Sequence, residues 1–474
     1  MKPISAISAN GAAASADDQG FGGLPLSAAM LANLDRLGYR TMTPIQRAAL
    51  PLALAGKDLI AQAKTGSGKT AAFAIPLLAK LDVAHLDVQA LVLCPTRELA
   101  EQVTQELRRL ARAEDNVKIL TLAGGVMMRG QRTSLEHGAH IAVGTPGRIM
   151  DLLDRGNLEL SAVKTLVLDE ADRMLDMGFH DDIAYVARRV PTQRQTLLFS
   201  ATYPDSIAKL AAQFMKNPQR VTVQAQHEHN KIRQRFYEIT DAERLDTVSK
   251  LLRHYRPVST LAFCNTKQRC RDLVEALQAQ GFSALALHGE LEQRDRDQVL
   301  VQFANRSCSV LVATDVAARG LDIAQLEAVI NVDVTQEPEQ HIHRIGRTGR
   351  GEHEGWALSL ASAKEMLRVT RIEDEQGREM EWANVASLTP ASSEPLVPPM
   401  ATLQIQVERK EKIRAGDVLG ALTGDGGIGG DKVGKITIAE FSTYVAVQRD
   451  VAKAALRHLS STKIKGKTVR VRLL

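Results

Sequence analysis

Three short stretches carry side chains able to hold and cleave a phosphoanhydride. AKTGSGKT, Ala63–Thr70, has the glycines, lysine and hydroxyl of a phosphate-binding loop, with Ala63 where a first glycine is usual. The whole run is a candidate contact surface: Ala63, Lys64, Thr65, Gly66, Ser67, Gly68, Lys69 and Thr70. Gly66 and Gly68 let backbone N–H groups close around an anion, Lys69 reaches the outer phosphates, and the Thr70 hydroxyl suits a magnesium ion. In TLVLDEAD two acids follow an apolar run directly. Asp169 is placed to hold magnesium, partly through water, and Glu170 to polarise an attacking water. Alone, such acids equally suit a helix N-terminus, whose dipole favours negative charge. HRIGRTGR, His343–Arg350, offers Arg347 and Arg350; guanidiniums that reach a transferring phosphoryl group supply a rate factor of about 10³ to 10⁵. Arg347 lies 278 residues beyond Lys69, so joint use requires two parts of the chain to close on one nucleotide. A surface salt-bridge cluster is the plain alternative for an isolated basic run. The loop and the acids together point to nucleoside triphosphate hydrolysis.

These residues must be positioned by something, and one pattern recurs around them. Short runs of Val, Leu and Ile break abruptly into small or polar residues: ALVLCPTRE, HIAVGTPGR, TLVLDEAD and TLLFSAT, then TLAFCNTK, SALALHGE, SVLVATDVAARG and EAVINVD. Between them lie segments of helical spacing such as ELAEQVTQELRRLAR. Buried strands alternating with helices imply parallel sheets covered on both faces, with ligands at the carboxyl ends of the strands. Two such series form two α/β domains, expected over 21–217 and 232–372 with a polar linker, 218–231, between them. ASLTPASSEPLVPPM places a second linker within 373–400, and residues 1–20, rich in Ala, Ser, Gly and Asp, read as a disordered tail.

The chain has 474 residues, 44% of them hydrophobic, enough for about three domains with cores of their own. Its four cysteines show no CxxC pair, so neither a zinc site nor a disulfide framework is indicated. No stretch of about 18 apolar residues occurs, and the reading is a cytoplasmic protein with no membrane role. Charge is uneven. Residues 401–474 carry 14 Lys or Arg against 7 Asp or Glu, so this end holds more than the whole-chain net charge of +5.

The motifs in their order resemble those of the DEAD-box RNA helicases from about Phe21 to Ala363: GYRTMTPIQ, AKTGSGKT, PTRELA, Gly124–Gly125, TPGR, DEAD, SAT, the QRDR stretch, TDVAARGLD and HRIGRTGR. The resemblance implies two tandem RecA-like P-loop domains. It implies ATP and Mg²⁺ as cofactors, with Gln46 reading the adenine edge, Phe21 stacking nearby and Asp322 on the ribose. It further implies RNA-backbone contacts from Arg97, Gly125, Thr145, Arg148 and Thr314, with Ser200, Ala201, Thr202 and His343 coupling hydrolysis to strand separation. Small residues, hydroxyls and arginines at strand ends suit a grip on backbone that ignores base sequence.

The tail, 401–474, parses as strand, helix, two strands, helix and strand. This βαββαβ order resembles an RNA-recognition motif, an α+β fold on whose sheet bases stack. Only Tyr444 is aromatic on its third strand, so binding leans instead on Lys453, Arg457, Lys463, Lys465, Lys467, Arg470 and Arg472. KIRAGDVLGALTGD, VGKIT, TYVAV and KIKGKTVRVRLL are similar to the C-terminal domain of the bacterial DbpA helicases. That likeness implies a 23S ribosomal RNA hairpin near the peptidyl-transferase centre, pre-50S particles as partners and no obligate protein partner. The expected activity is RNA-dependent ATP hydrolysis with unwinding of short duplexes during large-subunit assembly. An ATP-gated RNA clamp without productive unwinding fits the same motifs, whereas a DNA translocase lacks support from Gln46 and SAT.

Overall fold

The computed structural model describes residues 20–63, 66–114, 116–223, 231–318, 326–349, 354–394, 396–406, 413–424, 427–439 and 442–474, with the backbone of 6–8. Lys64, Thr65, Asp322 and Arg350, all expected at the site, lie outside the described residues, as does most of the expected N-terminal tail. The chain forms two compact units, the first made by the described residues up to 223 and the second by those from 231 onward.

The first unit is built on an eight-stranded, wholly parallel sheet. Its strands are β1 (Ala6–Ser8), β2 (Leu59–Gln62), β3 (Ala90–Leu93), β4 (Ile119–Leu122), β5 (Ile141–Gly144), β6 (Thr165–Leu168), β7 (Gln195–Ser200) and β8 (Gln219–Thr222). They lie in the order β1-β8-β2-β7-β6-β3-β5-β4. Every residue of β3, β5, β6 and β7 is buried, which is why those segments read as unbroken apolar runs and not as alternation. Helices cover both faces and burial of their apolar stripes holds them there. Truncating a fully buried leucine such as Leu91 costs about 2–5 kcal/mol. Gln219–Thr222 falls in the segment expected as the first linker. It pairs with β2 as a strand of this sheet, because Val221 has a core position to fill.

In the second unit a parallel sheet contains β9 (Ile232–Glu238), β10 (Thr260–Cys264), β11 (Ala284–Leu287), β12 (Val310–Thr314), β13 (Ala328–Asn331), β14 (Gly355–Ala361) and β15 (Trp382–Ala383), ordered β11-β12-β10-β13-β14-β9-β15. The same unit carries a four-stranded antiparallel sheet of β16 (Met400–Gln406), β17 (Val433–Ile438), β18 (Thr443–Gln448) and β19 (Arg470–Leu473), ordered β17-β18-β16-β19. Helices Ala415–Thr423 and Ala452–Ser461 pack on one face of that small sheet against Ala401, Leu403, Ile405, Val445 and Val447. This is the expected βαββαβ fold.

The segment expected as a second linker is instead strapped down. A helix continues to Gln376, β15 pairs with β9, and Leu388 and Leu396 pack against the core of the α/β domain. The strap's extended backbone leaves its carbonyls open, and basic side chains take them: His254 Nδ1 meets the Thr389 carbonyl at 2.8 Å and Arg256 Nη1 donates to that of Glu394 at 2.7 Å. Arg449 then holds the carbonyls of Pro398 and Met400, fixing the entry into β16.

Candidate active site and nucleic-acid interface

Strand order sorts the candidate residues of the first unit into two groups. The phosphate loop follows β2, the acids follow β6 and SAT ends β7, and these three strands are neighbours. PTRELA, the paired glycines and TPGR follow β3, β4 and β5, also neighbours. Nucleotide and nucleic-acid motifs thus occupy adjacent halves of one carboxyl edge, where such sheets bind ligands.

In the phosphate loop, Gly66 and Gly68 take φ of 82° and 90°. A Cβ on Gly68 would stand 2.5 Å from Gln46 Nε2 and 2.9 Å from Thr43 Oγ1, so glycine is required by both backbone and packing. The helix Pro44–Leu54 starts with a capping box between Thr43 and Gln46. Gln46 uses its Oε1 on the Thr43 N–H at 2.9 Å and donates from Nε2 to the Gly68 carbonyl at 3.1 Å. The glutamine expected to read adenine therefore also braces the loop. Phe21 is buried edge-on to Tyr39. Lys69, buried, donates to the Ala63 carbonyl at 2.7 Å, while the Ala63 N–H donates to Ser200 at 3.0 Å, tying the loop to SAT.

Asp169 is 3% exposed and its Oδ1 has no hydrogen-bond partner. Burial, and then the Glu170 carboxylate, push its pKa up to about 7 against the pull of Lys69. An unpartnered buried carboxylate oxygen beside a lysine and a second acid fits a divalent cation, which would offset the desolvation. Glu170 caps the helix Ala171–Asp176 in a left-handed conformation, φ 53°, a strain of about 1–3 kcal/mol of the sort kept at functional positions. Its Oε2 accepts from Arg173 Nη1 at 2.7 Å, both side chains being buried.

Sequence reasoning missed Asp172. Its Oδ2 accepts from the Ala201 and Thr202 N–H groups, each at 3.0 Å, and from the Thr202 hydroxyl at 3.1 Å. One carboxylate oxygen thus joins the acid motif to SAT, and the only sequence signal was its place as the last acid of DEAD. Ser200 Oγ is buried without a partner.

On the other half of the edge, Arg97 Nη1 lies 3.5 Å from the Gly125 carbonyl, bringing two expected contacts together. Arg148 donates to Gln131 Oε1 at 2.7 Å and to the Val126 carbonyl. Thr145 starts the helix Pro146–Asp154 without using its hydroxyl to cap it.

Thr314 ends β12 in the second unit, and His343 sits half-buried on the helix Pro338–Ile345. Arg347 follows that helix and is buried. Arg344, which sequence reasoning left without a role, is 1% exposed and holds Asp315, Asn265 Oδ1 at 2.9 Å and the Asp333 carbonyl at 2.7 Å, with Phe263 beneath its guanidinium. The first arginine of HRIGRTGR is a structural organiser of three strand ends.

Residues 43–210 match the DEAD/DEAH box helicase family, 243–352 the helicase conserved C-terminal domain and 402–473 the DbpA RNA binding domain. The chain is 52% identical over 451 residues to the ATP-dependent RNA helicase DbpA of Escherichia coli K12, covering 95% of this chain and 98% of that one. The chain belongs to the DEAD-box ATP-dependent RNA helicases. Another family member, CshA of Geobacillus kaustophilus, is 45% identical over 76% of this chain and 77% of its own. Among solved helicases, Saccharomyces cerevisiae Dbp5 bound to RNA and ADP BeF3 superposes with a TM-score of 0.71 at 30% identity, over 77% of this chain and 96% of that one. Mss116p bound to single-stranded RNA and AMP-PNP gives 0.68 at 28%, over 76% and 77%.

In this DEAD-box helicase the middle of the small sheet's other face, at β16 and β18, is covered. Thr402 Oγ1 meets Ser307 Oγ at 2.6 Å and accepts from Asn305 Nδ2 at 3.1 Å, both on the neighbouring α/β domain. Arg472, expected on RNA, bonds Gln404 and reaches Gln298 at 3.0 Å on the helix Gln293–Ala304. Tyr444 is 3% exposed; burial first, with a contribution from Asp297 on that helix, raises its phenol pKa. The residue expected to be a thin stacking platform is thus covered. Lys453, Arg457, Lys463, Lys465, Lys467 and Arg470 are exposed, as is Arg472 despite those two bonds, and three of the lysines flank Ile464, which is fully buried and anchors their turn. No helix among the described residues is long and apolar enough to cross a membrane.

Proposed function

We propose that the small domain of this ATP-dependent RNA helicase directs it to a 23S ribosomal RNA hairpin near the peptidyl-transferase centre, where the motor opens short duplexes during assembly of the 50S subunit in the cytoplasm. The observation that carries this reading is the match of 402–473 to the DbpA RNA binding domain, on a segment whose residues 451–474 hold seven Lys or Arg and no acid. A basic surface of that kind binds RNA through phosphates and makes binding steeply salt-dependent.

On the nucleotide side, Lys69 exchanges the Ala63 carbonyl for the outer phosphates, Thr70 and Asp169 hold magnesium, and Glu170 orients the attacking water. Gln46, Phe21 and Asp322 hold the adenosine end. Magnesium supplies charge neutralisation at the transferring phosphoryl group. Arg347 and Arg350 steady that charge once ATP and RNA are both bound. Arg97, Gly125, Thr145, Arg148 and Thr314 hold the RNA backbone, and Ser200–Thr202 with His343 couple cleavage to strand release.

The test is ATP turnover with and without 23S fragments. Strong stimulation by the hairpin fragment, lost in a Lys463, Lys465 and Lys467 triple alanine variant, is the expected result. Stimulation equal across unrelated RNAs overturns the targeting. Rapid strand displacement by the parent protein beside none by Glu170→Gln separates a helicase from an RNA clamp.

A further inference from the structure

β4 ends the sheet of the first unit, with no strand on its far side among the described residues. On its near side, His140 and Ile141 N–H donate to the Lys118 carbonyl at 3.0 and 3.2 Å, and Thr145 N–H to that of Leu122 at 3.1 Å. Even-numbered residues therefore turn their main chain to β5, and by the alternation of a strand the odd-numbered ones turn theirs outward. The Ile119 carbonyl is one of these. Arg108 Nη2 donates to it at 2.8 Å, where a neighbouring strand would have brought an N–H. A long basic side chain blunts such an edge and can swing away from it.

A groove of about 520 Å³ runs along the same edge. Its floor is residues 117–120, and its walls are Arg108 on the helix Arg97–Leu110 and Thr133, Ser134 and His137 around the end of the helix Met128–Glu136. Val117, Ile119 and Leu120 give it aliphatic surface, Arg108 and Lys118 are exposed beside them, and no acid lines it. At Gly138 the groove meets a second apolar patch. A Cβ there would stand 2.7 Å from the Leu86 carbonyl, and Val83 and Leu86 are 40% and 45% exposed. An open strand edge suits main-chain partners, aliphatic walls suit apolar side chains, and cations without acids suit carboxylates. No aromatic ring lines the groove, so a nucleobase would find nothing to stack on.

We propose that this groove docks an extended segment of a partner protein in which apolar and acidic residues alternate, added to β4 as a further strand. An N–H of the segment takes the Ile119 carbonyl. The displaced Arg108 guanidinium turns to one carboxylate of the segment and Lys118 holds another. The groove lies along the amino half of β4, whereas Gly124 and Gly125 follow its carboxyl end, so the segment and an RNA backbone use different parts of the unit.

The experiment measures fluorescence anisotropy of labelled synthetic peptides on the full-length protein: one alternating Val and Glu, one alternating Val and Lys, and two Val–Glu peptides N-methylated on alternate amides, each covering one edge of the strand. The Val–Glu peptide is expected to bind at least about tenfold more tightly than the Val–Lys one, and an Arg108→Glu, Lys118→Glu double variant to lose that preference. The double variant should keep parental RNA-stimulated ATP turnover and melting midpoint, since both side chains are exposed and outside the nucleotide and RNA groups. Methylation of one edge should abolish binding and of the other should leave it within about twofold, because only one edge of an added strand meets β4. No binding of the Val–Glu peptide, or equal binding of both methylated forms, overturns strand addition and leaves Arg108 as a cover for the edge. Displacement of the peptide by a short single-stranded RNA overturns the protein partner and gives the groove to RNA.

Discussion

Arg344 clasps Asp315 at two points, Nε to Oδ1 at 2.7 Å and Nη2 to Oδ2 at 2.6 Å, inside the second α/β domain. The pair is buried on the arginine side and shares its remaining donors with Asn265 and the Asp333 carbonyl, so it ties the TDVAARG segment to HRIGRTGR and to the ends of β10 and β13. Removing one partner of such a pair strands a charge. Arg344→Ala should therefore lower stability by about 3–5 kcal/mol, and Arg344→Lys should rescue little, since an ammonium cannot serve planar acceptors in several directions. Thermal melting checks this, and an unchanged midpoint in the alanine variant would sink it.

Asp172 makes a different prediction. Its Oδ2 receives three donors from Ala201 and Thr202, so Asp172→Asn loses charge-assisted bonds worth about 1.5–3 kcal/mol each and loosens SAT from the acid motif. Strand displacement should fall more steeply than ATP turnover. Parallel assays on one preparation decide it; equal losses would place Asp172 in cleavage alone.

The raised pKa of Asp169, about 7, gives a pH dependence with a definite sign. Between the unfolded value near 4 and about 7, the folded chain keeps a proton that the unfolded chain releases, so stability falls as pH rises through that window. A cation on the carboxylate expels the same proton. Magnesium affinity should rise up to about tenfold per pH unit until about pH 7 and then level off. Calorimetric titration with magnesium and nucleotide, in buffers of different ionisation enthalpy, should show proton release at pH 6 that Asp169→Asn abolishes and chelation reverses. No proton release at pH 6 counts against Asp169 as the ligand.

Thr402→Arg forces a long charged side chain between Ser307 and Asn305. The small domain keeps its own core on the opposite face of the sheet. Undocking should therefore leave it folded but melting independently, as an added transition in scanning calorimetry. A single, unaltered transition would mean that the contact contributes little.

The strand–helix alternation, the phosphate loop and the acids were legible because their signals are local: an apolar run that must be buried, then the residues that end it. Asp172 and Arg344 were not assigned because their meaning lies in partners about 30 residues away, Thr202 and Asp315, which no spacing rule connects. The strap between residues 384 and 400 misled for a related reason. Proline and serine mark the absence of helix, which is equally true of a free spacer and of an extended segment stitched to a surface by Arg253, His254 and Arg256. Likewise the four-stranded sheet could be read from its alternation, but which face it turns to solvent could not. Thr402 and Gln404 are polar, and only their docking shows why they are buried.

That docking bears on attempts to graft the tail onto another motor. A module stitched on behind an arbitrary helicase would arrive with Thr402, Gln404 and Tyr444 bare, and its new host would lack the counterparts of Gln298, Asn305 and Ser307. A working transplant has to carry the seat along with the passenger.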